Sequence, residues 1–197
     1  MKILFVIFAY LLGSFPSGYI LFRLSEKKDI RGYGSRSTGA TNVLRVKGLK
    51  FALPVALVDV IKGALPVFLA MGLFPNYTLA LASAFAAVLG HCFPVYLRFR
   101  GGKGVATSMG AYALLAFKPF LVSLALFLLI IALTRFVSLG SLVSTFCFPL
   151  SALLFHQEMG MVIWGLAIFL LVFFKHRENI QRLMKGEERK LGQKVKV

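Results

Sequence analysis

Seven apolar runs, each closed by charge, glycine or proline, set the strongest limit on how this chain folds. They cover residues 3–24, 51–73, 77–98, 104–117, 119–134, 137–155 and 159–174. A helix that crosses a bilayer upright needs about 20 apolar residues, so the short fourth and fifth runs are expected to tilt or to enter the membrane incompletely. The pattern predicts an all-α integral membrane protein with about seven transmembrane helices.

Composition and organisation agree with a membrane protein of one domain. Of the 197 residues, 58% are hydrophobic, and the mean hydropathy of +0.81 is well above that of a soluble domain. The first run lacks the small-residue cleavage site of a secretory signal, so we expect it to be retained. No linker or low-complexity tract divides the chain, which predicts a single integral domain over residues 1–197 with a basic tail at 175–197.

The basic residues predict the orientation in the membrane. The chain has 23 Lys and Arg residues against 7 Asp and Glu, a formal net charge of +16. With the N-terminus outside and the C-terminus cytoplasmic, all of these cations except Lys2, Lys62 and Lys118 lie on the cytoplasmic side, in accordance with the positive-inside rule. Because the cations lie between apolar runs, we expect membrane lipid and no nucleic acid as a partner.

The segment GSRSTGATNVLRVKG, residues 34–48, combines glycines, hydroxyls, an amide and three cations without a carboxylate. Glycines let backbone N–H groups converge, hydroxyls donate further hydrogen bonds, and the guanidinium of Arg45 can bind two oxygens at once. This chemistry favours a phosphate site, and the residues packed around the cations are Gly34, Ser35, Gly39, Thr41 and Asn42. The alternative is a solvated basic loop that rests on anionic headgroups.

A second glycine-rich segment surrounds Lys103, which has Gly101, Gly102 and Gly104 as neighbours. It resembles a phosphate loop that precedes a helix, whose N-terminus favours an anion. It is not a Walker A motif, because Leu97 stands where that motif has its first glycine and Gly104 where it has Ser or Thr. The alternative is a flexible hairpin between two helices.

Two polar residues follow the end of the last apolar run. His176 and Asn179 are three residues apart and share one face if the helix continues. This spacing indicates a functional pair, with a merely interfacial His176 as the alternative.

A carboxylate and an ammonium lie inside the second apolar run, where Asp59 and Lys62 are three residues apart. Ionisable residues within a membrane are costly and usually functional. Because this pair can neutralise itself, we expect it to support neighbouring loops.

Several other chemistries are excluded by missing motifs. The chain has no GxSxG sequence, and no Asp follows five positions after His91, His156 or His176, which excludes the HxxxxD motif of thioester-dependent acyltransferases. Cys92 and Cys147 lie inside apolar runs and outside any metal-binding pattern. We therefore expect no metal and no cofactor.

The polar motifs, taken in order, resemble those of the bacterial acyl-phosphate:glycerol-3-phosphate acyltransferases, the PlsY family. The matching stretches are Gly13–Tyr19, Gly34–Arg45, Asp59-xx-Lys62-Gly63, Gly90-His91-xx-Pro94 and Gly101–Thr107. The resemblance implies a multi-pass enzyme of the bacterial inner membrane whose active site faces the cytoplasm. It also implies transfer of a fatty acyl group from acyl phosphate to the 1-hydroxyl of sn-glycerol 3-phosphate, which yields lysophosphatidic acid and phosphate and begins phospholipid synthesis.

The same resemblance implies roles for individual residues. The catalytic set, which holds the glycerol phosphate and polarises its surroundings, is Ser35, Arg45, Lys103, His176 and Asn179. The other substrate-binding residues are Gly39, Thr41, Asn42, His91, Gly101, Gly102 and Gly104, with Asp59 and Lys62 in support. The chain departs from the family at Arg36 and Ser37, where relatives usually have Gly and Asn.

Acyl phosphate is a mixed anhydride, so its carbonyl is already activated for attack. We therefore favour direct attack by the glycerol hydroxyl, with a substrate phosphate as proton acceptor and with Lys103, Arg45 and backbone amides stabilising the developing charge. His176 is the alternative base.

Two other functions remain open at this stage. An organophosphate transporter also needs polar loops between membrane helices, although the two similar halves common among transporters are not evident. A nonenzymatic scaffold that binds anionic lipid explains the charge alone.

Overall fold

The computed structural model describes residues 1–74 and 76–195, and this part of the chain is helical apart from turns and loops. Its α-helices are α1 (Lys2–Gly13), α2 (Ser17–Glu26), α3 (Ala40–Lys47), α4 (Leu49–Leu73), α5 (Tyr77–Cys92), α6 (Val105–Leu115), α7 (Phe117–Thr134), α8 (Val137–Leu154), α9 (Met159–Lys175) and α10 (Arg177–Met184). Single 3-10 turns lie at Ile30–Gly32 and Val95–Leu97. The predicted all-α class is confirmed.

Each of the seven predicted runs holds a helix, but fewer segments are long and apolar enough to cross a membrane. Among the described residues, five qualify: Lys2–Glu26, Leu49–Leu73, Tyr77–Leu97, Phe117–Thr134 and Val137–Leu154. A sixth is added if α9 and α10, which meet at 63°, form one broken span. Helix α6 has 11 residues, a length of about 17 Å, and is too short to cross alone. The count of seven crossings and the orientation of the termini stay predictions.

The surfaces of α4 and α7 are apolar, as expected of helices that face lipid. Their exposed side chains include Leu53, Leu57, Phe68, Leu128, Leu129 and Leu133. Interfaces between helices instead bury small and hydroxyl side chains, among them Ala80, Ala84, Ser144 and Thr145. In hydrocarbon, close packing rather than apolar burial holds helices together, and small residues permit that packing.

Two glycines set the contact between α4 and α6. A Cβ on Gly63 would lie 1.9 Å from the carbonyl oxygen of Thr107, and a Cβ on Gly110 would lie 2.0 Å from that of Val60. Only glycine allows backbones to approach this closely. The contact fixes the start of α6, which follows Lys103 almost directly.

The polar loops meet at one end of the bundle, which we call the loop face. It comprises residues 27–39, 98–104 and 176–195. Arg31 Nη1 donates a hydrogen bond of 3.1 Å to the carbonyl oxygen of Leu97, and Lys103 Nζ donates to Asn179 Oδ1. Segments distant in sequence are thus joined there.

The tail predicted at 175–197 folds back against the helices that border the loop face. After α10, the N–H of Leu191 donates to the carbonyl of Arg135 at 2.7 Å, and the N–H of Val195 donates to that of Arg45 at 2.9 Å. The tail therefore covers the ends of α3 and α8. Its last two residues, 196 and 197, lie outside the described part of the chain.

Candidate active site

A cavity of about 310 Å³ lies at the loop face. Its polar lining, which we call the polar wall, includes Ser35, Thr41, Asn42, Arg45, Lys103, His176, Asn179 and Glu188. Its apolar lining, which we call the apolar wall, includes Ala56, Val60, Ala106, Met109, Leu124, Phe127 and Val137. A molecule with a charged end and an aliphatic chain matches a lining of both kinds.

The loop before α3 is shaped by the side chain of Asn42, which is 1% exposed. Asn42 Oδ1 accepts from the N–H of Ser35 at 2.8 Å, and Nδ2 donates to the carbonyls of Tyr33 and Ser37 at 3.1 and 2.8 Å. Gly34 has a φ of +61°, and a Cβ there would lie 2.2 Å from Asn42 Oδ1. Asn42 therefore fixes the backbone that carries Ser35.

The two residues that depart from the family's usual sequence, Arg36 and Ser37, both lie in the loop before α3. Arg36 has a φ of +57°, a region that glycine adopts readily and arginine does not. Its side chain is exposed. Ser37 is buried, and its Oγ accepts from the N–H of Gly39 at 3.3 Å. Arg36 therefore bears a backbone cost that glycine avoids, while Ser37 takes part in the turn.

Arg45 lies in the last turn of α3 and is 6% exposed. Its Nη2 lies 3.7 Å from Glu188 Oε1 and donates to the carbonyl of Arg189 at 3.1 Å. Burial lowers the pKa of Arg45 from its ordinary value, yet a guanidinium stays protonated in a protein. Arg45 is thus a fixed positive charge in the polar wall.

Glu188 contributes a buried carboxylate to the polar wall. Its Oε1 accepts from Asn179 Nδ2 at 2.8 Å and Ser138 Oγ at 3.1 Å, and its Oε2 accepts from Arg182 Nε at 2.8 Å. Burial acts to raise the pKa of Glu188, but hydrogen bonds from Arg182 and Asn179 outweigh it, so the pKa lies below 4.5. The ionised carboxylate holds Asn179 and faces Arg45.

Lys103 supplies the second cation of the cavity. Its Nζ donates to Asn179 Oδ1, so the amide of Asn179 connects the ammonium with Glu188. Burial, partly offset by the charge of Glu188, lowers the pKa of Lys103 to about 8. The ammonium is mostly protonated at neutral pH but loses its proton at a lower pH than an exposed lysine does.

His176, at the junction of α9 and α10, contributes a neutral imidazole. Its Nδ1 lies 2.8 Å from the carbonyl oxygen of Val172. Because a carbonyl only accepts, we place the proton on Nδ1, which leaves the lone pair of Nε2 free. Burial, and then the charge of Lys103, lower the pKa of His176 to about 3. The ring is therefore neutral at physiological pH.

The glycines before Lys103 pack against His91. The N–H of Gly102 donates to the carbonyl of His91 at 3.0 Å. A Cβ on Gly102 would lie 1.9 Å from His91 Nε2, and one on Gly101 would lie 2.2 Å from the His91 carbonyl oxygen. Gly104 has a φ of +87°. Close packing and backbone conformation thus require these glycines, whether or not a ligand contacts them.

A buried ionic cluster lies beneath this loop. Asp59 Oδ1 accepts from Ser17 Oγ at 2.7 Å and lies 2.8 Å from Lys62 Nζ. The same oxygen lies 3.6 Å from His91 Nδ1, and Lys62 Nζ also donates to the carbonyl of Phe15 at 2.9 Å. The pair joins α2 and α4 to the histidine that supports the second loop.

Most of the predicted site residues lie together around the cavity. Its lining includes Ser35, Gly39, Thr41, Asn42, Arg45, Asp59, His91, Lys103, Gly104, His176 and Asn179. Gly101, Gly102 and Lys62 are not part of it, since the glycines pack on His91 and Lys62 is paired with Asp59. The catalytic and binding roles assigned from sequence stay predictions.

Sequence reasoning missed three polar residues that line the cavity: Ser138, Ser141 and Glu188. The serines belong to an apolar run in which hydroxyls are common, and they carry no motif. Glu188 lies in a charged tail and looks like a surface residue. The one signal was the rarity of carboxylates, because the chain has only 7 acidic residues, and three of them, Glu178, Glu187 and Glu188, follow the last apolar run.

The lining suits a ligand with phosphate and an alkyl chain. Arg45 and Lys103 supply positive charge, and Glu188 offsets part of it while holding Asn179 in place. The hydroxyl of Ser35 adds a neutral donor, and the neutral His176 adds an acceptor at Nε2. Hydrogen bonds from cations to phosphate oxygens are stronger than those from neutral donors.

Comparison with known proteins covers nearly the whole chain. Residues 3–186 match the family model described as glycerol-3-phosphate acyltransferase. A protein of that name from Thermoanaerobacter pseudethanolicus is 44% identical over 195 residues, covering 99% of this chain and 98% of the relative. Another from Synechococcus elongatus is 46% identical over 197 residues, covering 95% and 93%.

Two crystal structures of PlsY (YgiH), an integral membrane glycerol 3-phosphate acyltransferase, share the fold. The glycerol 3-phosphate form superposes with a TM-score of 0.92 at 36% identity, covering 97% of this chain and 96% of that one. The lysophosphatidic acid form gives 0.88 at 34% identity, covering 98% and 96%. The chain is thus an all-α, multi-pass integral membrane protein.

Proposed function

The chain belongs to the glycerol-3-phosphate acyltransferase family, and from that premise we propose how its cavity acts on substrates. The chain is an acyltransferase that uses glycerol 3-phosphate as acceptor. We propose acyl phosphate as the donor and the 1-hydroxyl of sn-glycerol 3-phosphate as the site of acylation. The products are lysophosphatidic acid and inorganic phosphate, the first step of bacterial phospholipid synthesis.

The observation that carries this proposal is a cavity whose lining is partly charged and polar and partly apolar. Both substrates bear phosphate, which the side chains of Arg45 and Lys103 attract, and only the donor has a long alkyl chain. The wall containing Val60, Met109 and Phe127 offers that chain an apolar surface. One cavity can therefore hold the phosphate groups and the alkyl chain together, and such positioning is a large part of catalysis.

The neutral hydroxyl of Ser35 and the cations Arg45 and Lys103 each contribute to phosphate binding in this proposal. Ser35 is fixed through its backbone by Asn42, and Lys103 is fixed through Asn179. Groups held in advance do not reorganise as charge develops, which is why they stabilise a transition state more than water does. In this proposal Arg45 and Lys103 hold phosphate oxygens, and Thr41, Gly39 and Gly104 contact the headgroups.

The transfer step needs no covalent enzyme intermediate. The 1-hydroxyl oxygen attacks the acyl carbon, a carbon–oxygen ester bond forms, and the bond from the acyl carbon to the phosphate oxygen breaks. The hydroxyl proton passes to a phosphate oxygen of a substrate, and inorganic phosphate leaves. His176 is the alternative acceptor, because its Nε2 lone pair is free while Nδ1 faces the Val172 carbonyl.

We further propose that the loop face lies in the cytoplasm and that the protein resides in the bacterial inner membrane. The distribution of cations supports this orientation. Glycerol 3-phosphate is a soluble metabolite, so a site at a polar loop face is open to it, while the apolar wall accepts a chain from the bilayer.

Donor choice tests the proposal. Purified protein in lipid nanodiscs is incubated with glycerol 3-phosphate and, in separate reactions, with acyl phosphate, acyl-CoA or acyl carrier protein thioester. We expect lysophosphatidic acid and equimolar phosphate from acyl phosphate alone. Product that forms only from a thioester would overturn the proposed donor, and the absence of product from every donor would overturn the proposed reaction.

A further inference from the structure

The loop Val95–Arg100, between α5 and α6, exposes an unusual set of side chains. Val95, Tyr96 and Phe99 are 41%, 59% and 58% exposed, and both arginines of the loop, Arg98 and Arg100, are exposed as well. Three apolar groups and two cations therefore share one short surface.

The backbone of this loop is strained at two consecutive residues. Arg98 has a φ of +53° and Phe99 a φ of +62°, a region that residues other than glycine seldom adopt. The turn is nevertheless fixed, because the N–H of Phe99 donates to the carbonyl of Pro94 at 3.0 Å. Arg31 also binds the carbonyl of Leu97 at 3.1 Å. Strain that persists in a well-bonded loop is a sign of function.

The loop lies where a membrane helix ends. The segment Tyr77–Leu97 is long and apolar enough to cross the bilayer, so residues 98–100 come directly after the end of the span. At that depth aromatic rings are stabilised beside headgroups, and cations are attracted to anionic lipid. No carboxylate in residues 1–74 or 76–195 forms an ion pair with Arg98 or Arg100.

We propose that the loop Val95–Arg100 binds the headgroup of an anionic phospholipid. Arg98 and Arg100 contact the lipid phosphate, and Tyr96 and Phe99 lie among the upper parts of the acyl chains. The uncompensated positive charge selects an anionic lipid, and the exposed rings select a bilayer rather than an acidic soluble partner. Because Gly101 follows at once, lipid binding also anchors the start of the loop that carries Lys103.

Fluorescence quenching tests the site without reference to catalysis. The variant Trp164→Phe/Phe99→Trp places the protein's one tryptophan in the loop, and it is reconstituted in vesicles with brominated phosphatidylglycerol or brominated phosphatidylcholine. We expect stronger quenching by the anionic lipid. Replacing each arginine should weaken that preference roughly fivefold, in Arg98→Gln, Arg100→Gln and the double variant.

The exposed cation at the start of α4 provides a control, since Lys50→Gln removes a charge elsewhere and should leave the preference unchanged. Equal quenching by both lipids, or a preference that survives both arginine substitutions, would overturn the proposal. So would the spectrum of a water-exposed tryptophan that neither lipid quenches, which would show that the loop faces an aqueous partner. Acyl transfer is not measured, so these outcomes do not depend on the proposed reaction.

Discussion

The two loops that border the cavity are held in different ways. Residues 34–39 are organised by hydrogen bonds from one side chain, that of Asn42. The glycines of residues 101–104 make one backbone hydrogen bond to His91 and are otherwise held by close packing, Gly101 on the His91 carbonyl and Gly102 on the His91 ring. A hydrogen-bonded loop is sensitive to the chemistry of its central side chain, whereas a packed loop is sensitive to volume. Substitutions that change one property at a time separate the two.

Of the changes that compare the two loops, added volume in the second loop is expected to have the largest effect. In Gly102→Ala the new Cβ would lie 1.9 Å from His91 Nε2, so the loop or the ring must move and Lys103 moves with it. Misplacement by about 1 Å costs roughly a hundredfold in rate. Steady-state assays should show that loss in kcat/KM. Gly32→Ala is the control, because a Cβ there meets nothing within 4 Å, and equal activity of the two variants would refute the packing account.

A change of chemistry without a change of volume tests the first loop. Asn42→Asp keeps an acceptor for the N–H of Ser35 but sets carboxylate oxygen against the carbonyls of Tyr33 and Ser37. We expect a loss of about 1–3 kcal/mol in the free energy of unfolding, measured by denaturation in detergent. Asn76→Asp is the matched control, since Asn76 caps α5 by accepting from the N–H of Leu79 at 2.8 Å and Asp caps equally well. Equal destabilisation by both would contradict the proposed role of Asn42.

The pH dependence of activity separates Lys103 from His176. Burial lowers the pKa of Lys103 to about 8, so the charged form that binds phosphate is present below that pH and is lost above it. We expect kcat/KM to fall above about pH 8, by up to about tenfold per pH unit, and Lys103→Arg to move this limb upward. Because the pKa of His176 is lowered to about 3, its ring stays neutral and adds no limb near pH 7. A change in kcat/KM near pH 7 that is seen in the wild type and is absent in His176→Gln would favour His176 as the base.

The smallest expected effect concerns the backbone of the first loop. Arg36 has a φ of +57°, which glycine adopts without the steric cost that arginine bears. Arg36→Gly should therefore stabilise the protein by up to about 1 kcal/mol, seen as a higher midpoint of thermal unfolding. A lower midpoint would mean that the exposed guanidinium contributes more than the strain removes.

Hydropathy predicted the helices well because crossing a bilayer demands long apolar runs whatever their neighbours are. The site was predicted less evenly. Arg45 and Lys103 lie in glycine-containing segments, which the sequence alone marks as candidate anion sites. Glu188 lines the cavity through its contacts with Ser138 and Asn179, which exist only once the tail has folded. Gly102 shows the opposite case, since its spacing suggests a phosphate contact while its position is explained by packing on His91.

The central claim is that this cavity holds the reacting phosphates through its fixed cations, and the turnover of Lys103→Ala tests it most directly. The variant is compared with wild type and with Lys118→Ala, which removes a cation from the start of α7, in nanodiscs with acyl phosphate and saturating glycerol 3-phosphate. We predict a loss of about a hundredfold to a thousandfold in kcat for Lys103→Ala and none for Lys118→Ala. Near-normal turnover by a folded Lys103→Ala protein would contradict the account.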